Sequence, residues 1–463
     1  MKKTHTKKLM KTILVLALVL LAGAFWGMKA EAANVKISEA NFPDQGLRKS
    51  VQSHDQNGDG YLSSEEIEMV ESLHVSGKKL VSLQGLQYFK NLKDFTYSCY
   101  PKAKGDIRIL KFPSGMKLER INIRGISSAI TIDVSACKEL TSLDINNCKN
   151  VKEIKLGNIQ KVDSMHLMGC ENLEKLDVSK QKNLDYLALL EFKKLKRLDV
   201  SKNTKLRTLI IMHTPISSIN LKNNKKLEGI NISNNKSIKK IDVSKCTRLK
   251  GINLTECPRL TTYKLGKIKK LESFVLNDCK KIDKINIKKQ TNLKTLALEG
   301  LPKIKSLEIK KNVKIDYLDI RDMKKLKKID VAACTRLETI KIEECSKLKQ
   351  ITLGENKKLK SFYLTECDAL QKLDVAKQIN LSDFRLEELP RLTVLDVSAN
   401  VKLELMHITE VPISELNLSA QKNLSELHIK ETNLTKLDLS ATQIRKVSKK
   451  KFTYDNENME VIF

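Results

Sequence analysis

The stretch from Ile241 to Leu260, IDVSKCTRLKGINLTECPRL, states the rule by which most of the chain is built. Apolar residues fall at Leu249, Ile252 and Leu254, then again at Leu260, Tyr263 and Leu265. The same apolar-x-x-apolar-x-apolar signature returns at Leu271/Phe274/Leu276, Ile282/Ile285/Ile287 and Leu293/Leu296/Leu298. Steps of eleven residues, with isolated steps of ten, run from Leu140 to Leu434. Self-similarity at a fixed short period marks a solenoid, in which no unit buries its own apolar edge and stacking supplies the core.

Within one unit, positions four and six point to the same side of a short strand, as residues two apart must. Position one packs inward from the preceding turn. An eleven-residue unit of this kind leaves no room for a helix. Two units alternate to make a 22-residue coil with two short strands. The first half reads LDVS or a relative, as at Leu176–Ser179, Leu198–Ser201, Ile241–Ser244 and Leu395–Ser398; the second half varies, with INLTEC at Ile252, FVLNDC at Phe274 and FYLTEC at Phe362. Each inward leucine or isoleucine contributes roughly 1.5–3 kcal/mol on burial. About fifteen coils at strand spacing predict an elongated, weakly curved, mainly β rod roughly 70 Å long. Composition agrees: 41% hydrophobic residues but only 5% aromatic ones suit thin layers of short aliphatic side chains.

Position nine carries Asn203, Asn224, Asn312, Asn356 and Asn400, and nine of the ten cysteines: Cys137, Cys148, Cys170, Cys246, Cys257, Cys279, Cys334, Cys345 and Cys367. A slower rhythm overlies the coils, with blocks starting near residues 133, 242 and 330. Each holds a Leu-Gly pair (Leu156-Gly157, Leu265-Gly266, Leu353-Gly354) and a later Lys-Gln-x-Asn-Leu ending at Leu184, Leu293 and Leu381. Duplication of a multi-coil block is the economical explanation. With its nested half-period the array resembles the bacterial leucine-rich repeats of 21–22 residues sometimes called the IRREKO type, over about four-fifths of the chain. That resemblance implies a leucine-rich repeat solenoid in which the position-nine side chain turns inward onto backbone groups of neighbouring coils. It implies ladder thiols in preference to disulfides, although cysteines on adjacent coils stand about 5 Å apart at strand spacing.

Outward from the array, residues 1–32 read as a secretory signal peptide: a basic start, an apolar run from Ile13 to Met28, and Ala30-Glu31-Ala32 before the cut. Residues 33–75 form a cap of different composition, 76–443 the array, and 444–463 a C-terminal cap or tail. The run DQNGDGYLSSEE in the cap fits the calcium-loop pattern D-x-[DN]-x-[DN]-G-x5-E at every specified position. Asp55, Asn57 and Asp59 would supply side-chain oxygens, Tyr61 its carbonyl, Ser63 a direct or water-mediated ligand, and Glu66 a bidentate carboxylate. An entering helix with Phe42, Leu47 and Val51 and an exit helix burying Ile67, Val70 and Leu73 are expected to flank it. The stretch resembles the EF-hand-like cap ahead of leucine-rich repeats in secreted Gram-positive proteins. A structural Ca2+ held at roughly 0.1–1 mM is the expectation, since extracellular calcium modules bind in that range.

The formal net charge is +30, and removing residues 1–32 (six lysines against Glu31) leaves +25. Such a surplus draws anionic surroundings. Position eight of the second half is acidic in Glu191, Glu256, Asp278, Asp322, Glu344, Glu366, Glu388, Glu410 and Glu431. Exposed strand centres, His166, Ile210, Val275, Lys341, Tyr363, Arg385, His407 and His428, form a variable face suited to recognition. Nothing in the repeats matches a nucleophile elbow, phosphate loop or HExxH helix, so no enzyme is expected. Scarce aromatics and a secretory leader argue against nucleic acid. The expectation is a monomeric macromolecule-binding protein, adhesin-like by a fold-level resemblance to internalin-like adhesins. It would be secreted, with non-covalent wall association and no membrane span once the leader is cut. The alternative is a lysine-rich component that holds polyanionic glycopolymers without a specific protein partner.

Overall fold

The computed structural model describes residues 34–77, 80–99, 107–309, 311–444 and 451–463; the signal-peptide segment, residues 1–32, lies outside them. Among these residues eighteen front strands, from Ser72–Gly77 to Phe452–Tyr454, form one parallel sheet, one strand per coil. The register is strict. Gly229–Ser233 pairs residue for residue with Gly251–Thr255, and that strand with Ser273–Asn277. The sheet is open, because its first strand pairs only with Asp94–Cys99 and its last only with Glu426–Lys430. Front strands alternate inward and outward residues: in Thr339–Glu343 the inward Ile340 and Ile342 are fully buried. Parallel pairing needs no hairpin here, since each turn of the coil returns the chain to the start of the next rung.

The back of the coil is less regular than two strands per coil predicts. Short ladders form at Ile109–Lys111 with Thr131–Asp133 and Glu153–Lys155, at Arg197–Asp199 with Ser218–Asn220, and at Lys240–Asp242 with Thr262–Lys264. Further ones lie at Leu307–Glu308, Lys328–Asp330 and Gln350–Thr352, and at Lys436–Asp438 with Glu460–Ile462. Around Leu176, Ile285, Leu373, Leu395 and Leu416 the backbone makes no back ladder. Length is the reason. In LDVS the aspartate turns back onto the chain, as Asp242 Oδ1 accepts from Ser244 N (3.0 Å) and Ser244 Oγ (2.6 Å). That Asx turn closes the segment, so at most three residues are extended and the ladder comes and goes.

Position nine turns inward. Asn356 Nδ2 donates to Val331 O (3.1 Å) and Cys334 O (2.9 Å), and Asn203, Asn224, Asn312 and Asn400 repeat the pattern. The cysteines stand in the same column, with Cys279 Sγ 3.6 Å from Leu254 O and Cys334 Sγ 3.7 Å from Asn312 O. All ten cysteines are unbridged. Burial pushes the Cys137, Cys246 and Cys334 thiols up to about 12, which keeps them protonated and inert. The slower rhythm has a structural meaning. Gln181, Gln290 and Gln378 also occupy position nine, and each sends Nε2 to the carbonyl of the preceding coil's glycine: Gly157 (3.0 Å), Gly266 (2.8 Å) and Gly354 (2.9 Å). These glycines have φ of 55–66°, and a Cβ on Gly354 would come within 2.7 Å of Ala332.

The cap sits on the first rung. Helix α1 (Gln45–Gln52) buries Leu47 and Val51 and is N-capped by Asp44, whose Oδ1 accepts from Leu47 N (2.8 Å). Asp44 is fully buried and its Oδ2 accepts from Val81 N (3.0 Å), which ties the cap to the array. Helix α2 (Ser64–Met69) is shorter than the expected exit helix. It ends before Val70, which is extended, and Leu73 lies on the first front strand, Ser72–Gly77, instead. Leu73 and Val75 are buried with a period of two, so the array begins four residues ahead of the boundary at 76. At the other end Phe452–Tyr454 and Glu460–Ile462 add a last front and back rung.

Candidate recognition face and calcium loop

The loop from Asp55 to Glu66 brings its six sequence-predicted residues into one wound turn. Asp55 Oδ1 and Oδ2 accept from Gly58 N (2.8 Å) and Gly60 N (2.9 Å), and Asp59 Oδ1 accepts from Tyr61 N (2.7 Å). Asn57 Nδ2 donates to Asp59 Oδ2 (3.0 Å). Gly58 and Gly60 take φ of 74° and 81°, conformations that L side chains resist. Ser63 N-caps α2 and accepts from Glu66 N, while Glu66 Oε2 accepts from Ser63 N (2.8 Å), a reciprocal capping box. Glu66 Oε1 accepts from Gln56 N (2.7 Å), so the carboxylate bridges both ends of the loop. Backbone N–H groups of Ser63 and then Gln56 hold its carboxyl below the usual range. Val35–Lys36 pairs antiparallel with Tyr61–Leu62, which braces the loop from outside. The donor set is three carboxylates, an amide, a hydroxyl and a carbonyl, all hard oxygen, which fits Ca2+ and not a soft metal.

The front sheet displays one outward side chain per rung at each register position. Asn122, Asp144, His166, Ala188, Ile210, Asn231, Asn253, Val275, Ala297, Asp319, Lys341, Tyr363, Arg385, His407 and His428 occupy one such row through successive pairings. Ala188 is buried beneath its neighbours and offers little surface. Near the C-terminal end the row becomes a stack. Lys341 Nζ and the Arg385 guanidinium each lie 5.3 Å from the centre of the Tyr363 ring, on neighbouring rungs. Asp383 fixes the stack, accepting from Tyr363 Oη (2.6 Å), Arg385 Nε (2.9 Å) and Arg385 Nη2 (3.2 Å). His407 and His428 follow with ring centres 5.5 Å apart. Burial, then the neighbouring His428, pushes the His407 imidazole below its ordinary value. The His428 ring nitrogens are within reach of Thr453 Oγ1 (2.7 Å) and Glu426 Oε1 (3.4 Å). Among the described residues no three or more His, Cys, Asp or Glu side chains converge as a ready-made metal site. That includes Asp55, Asp59 and Glu66, whose oxygens accept from backbone N–H groups, so the loop has the donor set for Ca2+ but its carboxylates would have to turn inward to bind it.

The acidic column borders this face and its backbone is unusual. Glu191, Glu256, Asp278, Asp322, Glu344, Glu366, Glu388, Glu410 and Glu431 all adopt φ between 47° and 59°. Left-handed backbone costs an L residue roughly 1–2 kcal/mol. Gly125, Gly169 and Gly300 fill the same position on other rungs, and Asn147, Asn234 and His213 complete it. Those glycines and asparagines are the signal that marks the turn in the sequence. Burial, then Glu388 and Glu344, pushes the Glu366 carboxyl up; burial, then Glu431 and Glu388, does the same to Glu410.

Cations line part of the back face as well. One groove there, about 1,020 Å³, has a floor of Leu176, Leu198 and Ile219 and a rim that includes Lys175, Lys196 and Arg197. Lys193 is already paired with Glu171 (2.5 Å). No described helix is long and apolar enough to cross a membrane.

Residues 127–239 and 215–327 match the BspA type leucine-rich repeat region, in six copies. No curated protein matches the chain. Among solved structures the chain is similar to the functional domain of InlJ from Listeria monocytogenes, described as including a cysteine ladder. Identity is 20%, the match covers 89% of this chain and 75% of that one, and the TM-score is 0.50. It is also similar to a chain of the Toll–Spatzle complex of Drosophila, at 13% identity over 84% of this chain and 53% of that one, TM-score 0.52. At these identities the likeness is one of fold. Repeat period, parallel rungs and inward ladder agree with it, and the chain has the leucine-rich repeat solenoid fold.

Proposed function

We propose that the chain is a secreted or surface-associated, adhesin-like protein that binds another macromolecule through the outward side of its front sheet. One observation carries the reading. The inward residues of successive rungs are apolar throughout, mostly leucine and isoleucine with phenylalanine or methionine at intervals, while the outward row changes chemistry from rung to rung and includes the Lys341–Tyr363–Arg385 stack. Tyrosine and arginine are the side chains that dominate binding hot spots, and here an aspartate already holds both in place, so little ordering entropy remains to be lost. The leader-like N-terminus supports an extracellular address. Ca2+ bound by Asp55, Asn57, Asp59, Tyr61, Ser63 and Glu66 would stiffen the cap and take no part in recognition.

Pull-down on intact bacteria and on host cells at low and moderate salt tests the reading. A partner captured at both salts by the native chain, and lost with Tyr363→Ala combined with Arg385→Ala, supports it. Capture unaffected by that pair, or none at either salt, refutes it. The second reading, polyanion binding, is favoured by the back groove, where Lys175, Lys196 and Arg197 border an apolar floor and make no ion pair among the described residues. Capture that collapses between the two salts and ignores Tyr363 identifies that case.

A further inference from the structure

Two glycines in the front sheet serve no purpose in the fold. Gly229 and Gly251 sit opposite each other in adjacent strands, each at the first position of its rung. Neither has positive φ, and a Cβ built on either meets nothing within 4 Å. Every other described glycine either has positive φ or lies against a neighbour; Gly77, for instance, faces the Tyr97 hydroxyl at 2.7 Å. Other rungs hold a side chain at this position, most often Ser, Thr, Tyr or Asp, as in Thr208, Ser273, Thr295, Tyr317 and Asp383, with Arg120, Leu405 and Glu426 on three more. Glycine inside a strand weakens it and marks a place where something else approaches the backbone.

What the glycines create is a depression of about 400 Å³ on the outward face. Asn231 and Asn253 stand side by side in it, Ile210 and Val275 close its two ends, and Thr208 and Ser273 add hydroxyls. None of its lining residues is charged, in a chain where 30% of residues are. The buried Oδ1 of Asn231 has no hydrogen-bond partner, so turning that amide towards a ligand breaks nothing. Asn253 Oδ1 accepts only from Thr255 Oγ1 (2.6 Å).

We infer that this depression binds a neutral N-acetylated hexosamine unit of a glycan. The inference rests on the outward sheet face being the recognition surface and names one ligand class for it. An acetamido group offers one donor and one acceptor, which a side-chain amide matches in pairs. Its methyl suits Ile210 or Val275, and ring hydroxyls suit the second asparagine and the flanking Thr208 and Ser273. A charged ligand finds no counter-charge here, and burying it would go uncompensated.

Calorimetry and saturation-transfer NMR on the mature chain, with triacetylchitotriose as probe, test the inference. Cellotriose (no acetamido group) and glucosamine trimer (a free amine) are the controls. Binding of the acetylated trimer at least tenfold tighter than either control is expected. Gly229→Thr with Gly251→Thr should weaken it at least tenfold while the melting temperature holds or rises, because threonine already occupies this position on other rungs. No binding at millimolar probe, equal binding of cellotriose, or binding unchanged by the double threonine variant overturns the inference. An N-acetylglucosamine-bearing wall glycan and a neutral host N-glycan, compared under the same conditions, distinguish the sources of the sugar. The Tyr363/Arg385 capture experiment lies four or more rungs away and reads the general recognition surface separately.

Discussion

Asn356→Ala tests the internal ladder most directly. The side chain is fully buried and its Nδ2 satisfies two carbonyls, Val331 O and Cys334 O, at 3.1 and 2.9 Å. Alanine leaves each acceptor with one hydrogen bond instead of two, since Val331 O also accepts from Cys334 N (2.9 Å) and Cys334 O from Leu337 N (3.0 Å). Each lost hydrogen bond contributes about 0.5–1.5 kcal/mol, so the two together predict a loss of about 2 kcal/mol. Asn356→Cys should lose only about 1 kcal/mol, because a thiol retains one weak contact in a column where Cys334, Cys345 and Cys367 already stand. Cys334→Ala, which removes one thiol contact of 3.7 Å, should also cost about 1 kcal/mol. The assay is urea unfolding followed by circular dichroism, with hydrogen exchange at Val331 and Leu359 to read the affected coils, since repeat arrays lose stability through neighbouring interfaces. If Asn356→Ala and Asn356→Cys unfold at the same urea concentration, the two-carbonyl account of the ladder is wrong.

The remaining predictions concern the cap, the thiols and pH. At 10 mM Ca2+, a site with Kd of roughly 0.1–1 mM should stabilise the cap by about 1.4–2.7 kcal/mol relative to a chelated sample, seen as a calcium-dependent rise in melting temperature. Glu66→Gln, which retains a cap acceptor but loses the bidentate carboxylate, should remove that rise. Iodoacetamide should modify none of the nine fully buried ladder thiols before unfolding and all ten cysteines after it, as counted by mass spectrometry. The LDVS aspartates Asp177, Asp199, Asp242, Asp396 and Asp438 all have carboxyls held low, most by the serine two residues on. A depressed folded pKa means stability that is present above the unfolded carboxylate pKa and lost as pH falls through the folded value. Denaturation midpoints should therefore drop below about pH 4. Asp242→Asn should flatten that drop. Glu366 and Glu410, shifted the other way, should make Glu366→Gln neutral or stabilising at pH 7 and without benefit at pH 4.

The period, the inward leucines and the calcium spacing were all legible in the residues, because each is a local pattern repeated many times or specified at many positions. The position-nine asparagines were legible for the same reason. Their glutamine counterparts were not, although Gln290 and Gly266 both stood in recognised motifs, because a bond between residues 24 apart appears only once the coils are stacked. The acidic column was visible as charge, but its left-handed backbone was readable only from Gly125, Gly169 and Gly300 on rungs without the acid. Alternating Leu73 and Val75 already signalled a strand where a helix was expected. Gly229 and Gly251 were in plain view; that the fold makes no use of them required knowing what surrounds their missing side chains.

The bond from Gln290 to Gly266 limits how the gene for such a molecule can be edited. Unequal crossing-over that drops or adds one whole coil leaves period and sheet intact almost anywhere. A breakpoint falling between those two residues, however, separates donor from acceptor and delivers the glutamine to a neighbour with a different carbonyl geometry. Viable changes in length should therefore cluster at junctions outside the Leu-Gly to Lys-Gln interval, which makes that interval the smallest segment recombination can shuffle intact.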